Sequence, residues 1–459
     1  MSATTLIEHL DCLVLMSDDA ELADGYLVIQ DGRIAEVGSG SPPTRWDGCS
    51  VIDGRGLIAV PGLVNTHHHF FQTLTRALPA AQDVRILDWM AANYPFWSRI
   101  DAEAVYATAR VALGELMLSG CSTTSDHLYA FPVTSGSPIE MLAAEIAAAR
   151  QLGVRLHATR GAVDISLQAG GSPPRALVQE TDDVLASMEE TILRFHDPSP
   201  GAMVRIGLAP NSLTICSERL MRESGDLARK HGVTRHTHVA EVPEEEEHCL
   251  QVYGQRPIER LAELGWLADD VWLAHVVHAS QAEIDLLAAT GTGVAHCPVS
   301  NMRLASGAAP IADMLASGVA VGLGVDGSAS NDSGNLLAEA RQAMLLSRLR
   351  ERDSGRLMPA RQALWLATAG GARALKRDDI GTLQPGKQAD IAMFRLAGVA
   401  GAGFENDPVA GLLLASTPRV EHLIVNGEFA VRNYQLVNAD EGEIVSSHRQ
   451  IVGRIVSRR

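Results

Sequence analysis

The sequence predicts an α/β protein: a (β/α)8 TIM barrel over residues 61–374, with a second, small β-sandwich domain built from residues 1–60 and 375–459. Three observations carry this prediction. From Leu63 onward, short apolar runs alternate with helical patterns eight times, the rhythm of parallel strands that each feed a crossover helix. Both chain ends instead read as short strands and turns, and neither end alone has enough strands to bury a sheet face. Histidines and an aspartate also recur just after several of the apolar runs, where a barrel gathers its loops at one mouth. An open doubly wound sheet is the rival arrangement of the same pattern.

The 459 residues are 46% hydrophobic and 20% charged, enough for a large core under a solvated surface. A formal charge of −17 argues against a nucleic-acid backbone or an anionic membrane as the main partner, though not against a small ligand in a pocket of its own local field. Cys12, Cys49, Cys121, Cys216, Cys249 and Cys297 form no CxxC pair, so neither a disulfide framework nor a thiolate zinc site is expected. The N-terminal MSATTLIEHLDCLVLMSDD lacks a basic leader and carries Glu8 and Asp11 within its apolar part. No charge-free run is long enough to span a bilayer. A cytoplasmic protein is expected, with pairing of barrels into a homo-oligomer allowed.

In order along the chain, Tyr26–Val37 reads as a hairpin turning at Asp31-Gly32, and Val51–Val60 repeats the theme. The barrel strands are expected near Leu63, Ser122–Asp126, Arg155–Arg160, Val204–Leu208, Thr234–Ala240, Val271–His275, Gly293–Cys297 and Val319–Val325. Helices are expected over Ala102–Ser119, Ile139–Leu152, Thr181–Phe195, Glu218–Lys230, Pro257–Leu264, Ala282–Ala289, Ile311–Ala316 and Leu336–Leu349, with Gly120 and Gly153 as C-caps. Asp164–Arg175 is a polar Gly/Pro-rich loop. After Ala374 the short strands return, with a final short helix over Ile444–Ile451.

The chemistry starts at PGLVNTHHHFFQ (61–72). Side chains of an extended chain alternate faces, so His67 and His69 point one way and His68 the other. Two imidazoles on one face can grip an ion; the plain alternative is a pair of hydrogen-bonded structural histidines. The fifth strand ends HTHVAE, supplying His236, His238 and Glu241. The sixth ends at His275, the seventh at His296 and the eighth at Asp326. No one of these is specific; their joint occurrence is. His67, His69, His238 and Asp326 offer three nitrogens and a carboxylate oxygen to one divalent ion, most naturally Zn2+, with room for a water whose pKa such an ion brings towards about 7. Glu241, three residues past His238, can face the ion without ligating it, while His236 and His296 are expected to be non-ligands. His275 and His278 compete as donor to a developing oxyanion, and the residue pattern leaves both open.

Gln72, Trp89, Arg160 and Asn301 are candidate substrate contacts, each with a loop-tying, ion-pairing or core-packing alternative. Glu244–Glu247 reads as a solvated helix start. Gly322–Gly327 lacks the context of a phosphate or dinucleotide loop, and the absence of P-C-x-x-C excludes the zinc deaminases that use that signature.

PGLVNTHHHFFQTLTRALP, HTHVAE, LAHVVH, HCPVSNMRLASGAAP and GVDGSASND together resemble the amidohydrolase superfamily, in particular its cytosine, guanine, adenosylhomocysteine and triazine aminohydrolase or chlorohydrolase branch. The likeness runs over almost the whole chain, down to PGKQADI near the C-terminus. It implies His67, His69, His238 and Asp326 as metal ligands, Glu241 as proton shuttle, His275 rather than His278 as the sixth-strand catalytic histidine, and Asp326 as a base. The lysine that bridges two metals in binuclear relatives has no counterpart in these motifs, so one metal is implied. Gln72 matches a glutamine that contacts purine in guanine deaminases. The triple histidine, LPAAQDV and LSGCSTTSDHLYAFP look most like 8-oxoguanine deaminases, which would place Asp126 and His127 near the pocket, with His127 as a substrate contact. The implied activity is metal-dependent hydrolytic deamination of a cyclic amidine, 8-oxoguanine, to urate and ammonia. Guanine or isocytosine deamination and s-triazine amino- or chlorohydrolysis are the alternatives.

Overall fold

The computed structural model describes residues 4–17, 20–351, 353–415 and 418–457; residues 1–3 of the N-terminal segment and 458–459 lie outside the description, as do 18–19, 352 and 416–417. Eight parallel strands close into a barrel: β1 (Leu63–Asn65), β2 (Cys121–Leu128), β3 (Arg155–Ala162), β4 (Val204–Pro210), β5 (Thr234–Val239), β6 (Val271–His275), β7 (Gly293–His296) and β8 (Val321–Leu323). Each pairs with the next in chain order, and β8 returns to β1 through Leu323 and Asn65. The barrel, not the open sheet, is therefore the arrangement adopted. Expected and observed strands differ by at most two residues at their ends, within the usual fraying of such boundaries.

The chain ends form two further sheets. Thr4–Leu10, Gly25–Gln30, Arg33–Ser39 and Ser50–Asp53 make a four-stranded sheet. Cys12–Val14, Glu21–Leu22 and Ile58–Pro61 join four C-terminal strands, Ile391–Phe394, His422–Val425, Glu428–Arg432 and Gln435–Leu436, in a seven-stranded one. Period-two alternation assigns the faces of the larger sheet. Leu13, Ala59, Ile391, Met393 and Ile424 pack towards the four-stranded sheet. Their neighbours Cys12, Val14, Ile58, Val60, Ala392, Phe394, Leu423 and Val425 join the barrel's core. Both faces are buried, so these strands read as continuous apolar runs. The buried pair of Arg155 with Asp390 (2.7 Å) ties β3 to the C-terminal segment.

Several helices depart from expectation, two of them of 12 residues or more. The terminal helix runs Glu441–Ser457 and puts Ile444, Ile451 and Ile455 into the barrel core, with Glu443 paired to Arg110 of the Ala102–Leu118 helix. This terminal helix thus lies on the barrel. The Ile86–Trp97 helix, absent from the sequence reading, follows the first histidine motif and buries Trp89, Tyr94 and Trp97.

Candidate metal and catalytic site

The histidine motif leaves β1 at Asn65 and continues without regular structure to His69, where a 3-10 turn over Phe70–Thr75 begins. Asn65 stitches the closure: its Oδ1 accepts from the Val325 N–H (2.9 Å) and its Nδ2 donates to the His67 carbonyl (3.2 Å) and to Thr124 Oγ1 (3.0 Å). The Asp326 N–H then donates to the His67 carbonyl at 3.1 Å, which sets the eighth-strand carboxylate beside the first-strand imidazoles. The glycines of GLGVDG serve this approach. A Cβ on Gly324 would come within 2.7 Å of the His67 Cβ, and one on Gly327 within 1.8 Å of Gln72 Oε1.

Asp326 Oδ1 lies 3.2 Å from His67 Nε2 and 3.3 Å from His69 Nε2, and His238 Nε2 is 3.3 Å from His69 Nε2. What these atoms carry follows from the opposite edge of each ring. His69 Nδ1 donates to the His127 carbonyl and His238 Nδ1 to the Asn211 carbonyl, both at 2.8 Å. His236 Nδ1 donates to the Trp272 carbonyl (2.8 Å), so its Nε2 accepts from His67 Nδ1 (2.8 Å). Each of the three predicted ligand rings therefore holds its proton on Nδ1 and turns a bare Nε2 lone pair inward. Burial keeps the imidazoles neutral: it drives His67 well below the usual range, lowers His69, and pulls His238 down to about 3. Three lone pairs and a carboxylate oxygen then face one another with no proton between them. A cation satisfies such a set, and nothing else in the cluster does. The donors, three nitrogens and one oxygen, suit a borderline-soft divalent ion.

The far oxygen of Asp326, Oδ2, accepts from Ser300 Oγ (2.5 Å) and Ser330 Oγ (3.0 Å), leaving Oδ1 for the centre. Glu241 Oε2 stands 3.8 Å from His275 Nε2. Burial raises Glu241, the His275 charge opposing and the Asp326 charge adding. Burial pulls His275 down, but the Glu241 and Asp326 carboxylates and the bond from its Nδ1 to Asn301 Oδ1 (3.0 Å) outweigh it and hold it above the usual range. Backbone at three strand ends is in the left-handed region: Ala240 (φ 51°), His275 (φ 71°), Val276 (φ 49°) and Asp326 (φ 58°). For non-glycine residues this is strain held by the surrounding fold, placed where side chains must turn into the mouth.

A cavity of about 510 Å³ opens over this cluster, lined by His69, Gln72, Tyr129, Glu241, His275 and Asp326 at its floor and by Trp89, Met90, Tyr94, Ile215 and Leu304 higher up. A groove of about 1030 Å³ elsewhere, between Val14 and Glu21 of the larger sheet and Leu315 and Trp365, contains none of the histidines, and its Arg361 is already paired with Glu21 and Asp407.

The predicted residues fare differently here. His67, His69, His238 and Asp326 converge, with Glu241 and His275 beside them. His278 does not reach the cavity; its Nε2 meets the Ser306 carbonyl at 2.8 Å, so geometry as well as resemblance selects His275. Gln72 and Trp89 line the cavity, the Trp89 indole tied to the Ala329 carbonyl (2.9 Å). Arg160, Asn301 and His127, expected as substrate contacts, do not line it. Arg160 is buried on the helix side of β3, bonded to Ser187 and Gln179 and seated over the Phe131 ring at 4.1 Å. Asn301 acts on His275 instead. His127 stacks on His238 (4.9 Å) and donates from Nε2 to the Ala209 carbonyl; it offers a nitrogen near His67, His69 and His238 but lies behind them. His296 is buried and joins no metal-capable cluster among the described residues. Glu245 corrects the reading of Glu244–Glu247 as merely solvated: it is buried and accepts the Glu241 N–H at 3.1 Å. Its i+4 spacing from Glu241 was the available signal. Tyr129, one residue beyond β2, carried no comparable mark.

A model of the amidohydrolase family matches residues 58–430. The chain belongs to the amidohydrolase family. It is 42% identical over 436 residues to an 8-oxoguanine deaminase of Pseudomonas aeruginosa, covering 95% of this chain and 96% of that one. It is 36% identical to the hydroxydechloroatrazine ethylaminohydrolase of Pseudomonas sp. strain ADP, covering 94% and 91%. Among solved structures, the zinc complex of the atrazine chlorohydrolase TrzN from Arthrobacter aurescens TC1 superposes with a TM-score of 0.92 at 34% identity, over 98% of this chain and 100% of that one. This amidohydrolase is accordingly a metal-dependent hydrolase with a histidine-rich centre able to hold the ion. Among the described residues no helix is long and apolar enough to cross a membrane.

Proposed function

We propose that this amidohydrolase deaminates 8-oxoguanine hydrolytically, giving urate and ammonia, with one zinc ion held by His67, His69, His238 and Asp326. The observation that carries the reading is the convergence of unprotonated nitrogens and a carboxylate under a cavity that also presents Glu241 and His275. The 42% identity to an 8-oxoguanine deaminase supports the choice of ring. Free cysteines throughout suit a reducing cytoplasm.

Bound there, a divalent ion supplies an acidified water and stabilises negative charge on oxygen. Asp326 Oδ1 takes a proton from the attacking water as its oxygen bonds to C2, the carbon bearing the amine. Glu241, whose raised pKa favours the protonated acid, gives its proton to the adjacent ring nitrogen. His275, held above its ordinary range, donates from Nε2 to the developing oxyanion while Asn301 holds its Nδ1. The proton taken by Asp326 passes to the departing nitrogen, the remaining hydroxyl proton returns to Glu241 as the C2 carbonyl forms, and ammonia leaves. One water is consumed and one ammonia released per urate formed.

The test is ammonia release over 8-oxoguanine, guanine, isocytosine, cytosine, adenine and aminotriazines, with Glu241→Ala as control. 8-Oxoguanine is expected to give the highest kcat/KM. Equal or faster turnover of guanine or a triazine by the same preparation overturns the assignment in favour of that ring.

A further inference from the structure

Tyr129 stands at the cavity floor with its ring locked from several sides. It meets His69 edge-on at 5.1 Å and Phe71 at 5.3 Å, and it packs beside His127 at 5.6 Å and Trp97 at 6.4 Å. A ring so held fixes where its hydroxyl sits, which a substrate-reading group requires. The residue is 7% exposed and lines the same cavity as Glu241 and Asp326. The Gln72 side chain lines the same cavity and is itself pinned, since its amide packs where Gly327 lacks a Cβ. A phenol hydroxyl held there can give its proton to an acceptor on the ring that fills the cavity.

We propose that Tyr129 is a specificity-determining residue of this site: its hydroxyl donates to an exocyclic carbonyl oxygen of the bound heterocycle, selecting oxo-substituted rings over rings with hydrogen or an amino group at that position. The proposal rests on the deaminase reading above and adds the feature of the substrate that the β2 side of the cavity recognises. The physical ground is asymmetric. A buried donor that loses its acceptor keeps its desolvation cost, so a site built around such a bond discriminates against analogues that lack the oxygen. An amino group there would place a second donor opposite the first.

Tyr129→Phe removes one oxygen and keeps the packing, so it tests the bond without emptying the core. Steady-state kinetics would compare wild type and Y129F on 8-oxoguanine, on guanine (no 8-oxygen) and on 2-amino-8-oxopurine (no 6-oxygen), with zinc content measured in parallel. We expect Y129F to lose about tenfold or more in kcat/KM on 8-oxoguanine, with zinc content unchanged. On the one analogue missing the contacted oxygen, the two enzymes should agree within about twofold. Unchanged kinetics on 8-oxoguanine overturns the proposal. So does an equal loss on all three rings, which marks a positioning effect through Gln72, or a loss that tracks zinc content, which marks a packing effect through His69. Should the wild type not turn over 8-oxoguanine, the substrate assignment falls by itself. The same pair of enzymes is then compared on the oxo-heterocycle that is turned over and on its analogue without the oxygen, and the same outcomes decide Tyr129.

Discussion

Replacing His236 by phenylalanine should weaken zinc binding although His236 is not a ligand. Its Nε2 is the acceptor that keeps the His67 proton on Nδ1, at 2.8 Å, and its own Nδ1 proton goes to the Trp272 carbonyl at 2.8 Å. The ring also stacks on Trp272 at 4.5 Å and 16°. Phenylalanine retains that stack and deletes both hydrogen bonds. His67 is then left with a buried N–H lacking an acceptor, and the proton can move to Nε2, where it blocks the metal. Loss of such an outer partner typically costs 10–100-fold in metal affinity, about 1.4–2.7 kcal/mol at 1.4 kcal/mol per decade. Two buried groups left unpaired cost a further ~1–3 kcal/mol each in stability. The assay is competition for zinc against a chromophoric chelator, alongside urea unfolding of the metal-free protein. A zinc Kd within twofold of wild type, in a variant that folds, refutes the tautomer argument on which the fit of the cation rests.

Three further outcomes follow from the same geometry. Gly327→Ala puts a Cβ 1.8 Å from Gln72 Oε1, so Gln72 must leave its place; kcat/KM should fall at least tenfold, about what one lost substrate hydrogen bond costs, while zinc content, read by elemental analysis, stays at wild-type level. Arg160→Met removes the charged bonds to Ser187 and Gln179 and should cost ~2–3 kcal/mol of stability in urea melts while leaving KM unchanged; a raised KM with normal stability would restore Arg160 as a substrate contact. Burial pulls both His68 and His296 down to about 3. The unfolded chain binds their protons near pH 6.5. Stability is therefore complete above pH 6.5 and is lost as pH falls towards 3, by up to ~1.4 kcal/mol per pH unit for each group; identical urea midpoints at pH 7.5 and 5.5 would contradict this.

The strand-helix rhythm and the ligand set were legible because both are written in local pattern. A barrel strand is a short apolar run, and the residues at or just past its C-terminal end turn into the mouth, so His67, His69, His238 and Asp326 could be picked out by position, while position left His275 and His278 both open. The eight-stranded closure was also readable, since alternation of β and α over this length leaves few topologies. Contacts made across the barrel were not legible in the same way. Arg160 sits at a strand end like the ligands, but β3 alternation turns it to the helix side, against Ser187 and Phe131. Asn301 was singled out as a substrate contact, and the sequence does not show that the Pro298–Arg303 helix brings it to His275. The Ile86–Trp97 helix was missed because its apolar residues face both the core and the cavity, which blurs a one-sided pattern.

The same distinction explains why the metal centre is robust to inference and the substrate is not. Every ligand ring is fixed by a backbone carbonyl or, for His67, through His236 to one. Such partners depend on the barrel's framework and so accompany the ligands wherever the fold forms. The cavity wall is instead supplied by Ile86–Trp97, the Leu167–Ser172 loop and the Pro243–Tyr253 helix, which connect strands and are free to differ without disturbing the ion. A hydroxydechloroatrazine ethylaminohydrolase and an 8-oxoguanine deaminase are both similar to this chain over nearly its whole length. Discrimination between such rings therefore has to reside in a few side chains on those connections and at the strand ends beneath them, and Gln72 and Tyr129 are polar groups that the β1–β2 side presents to the cavity.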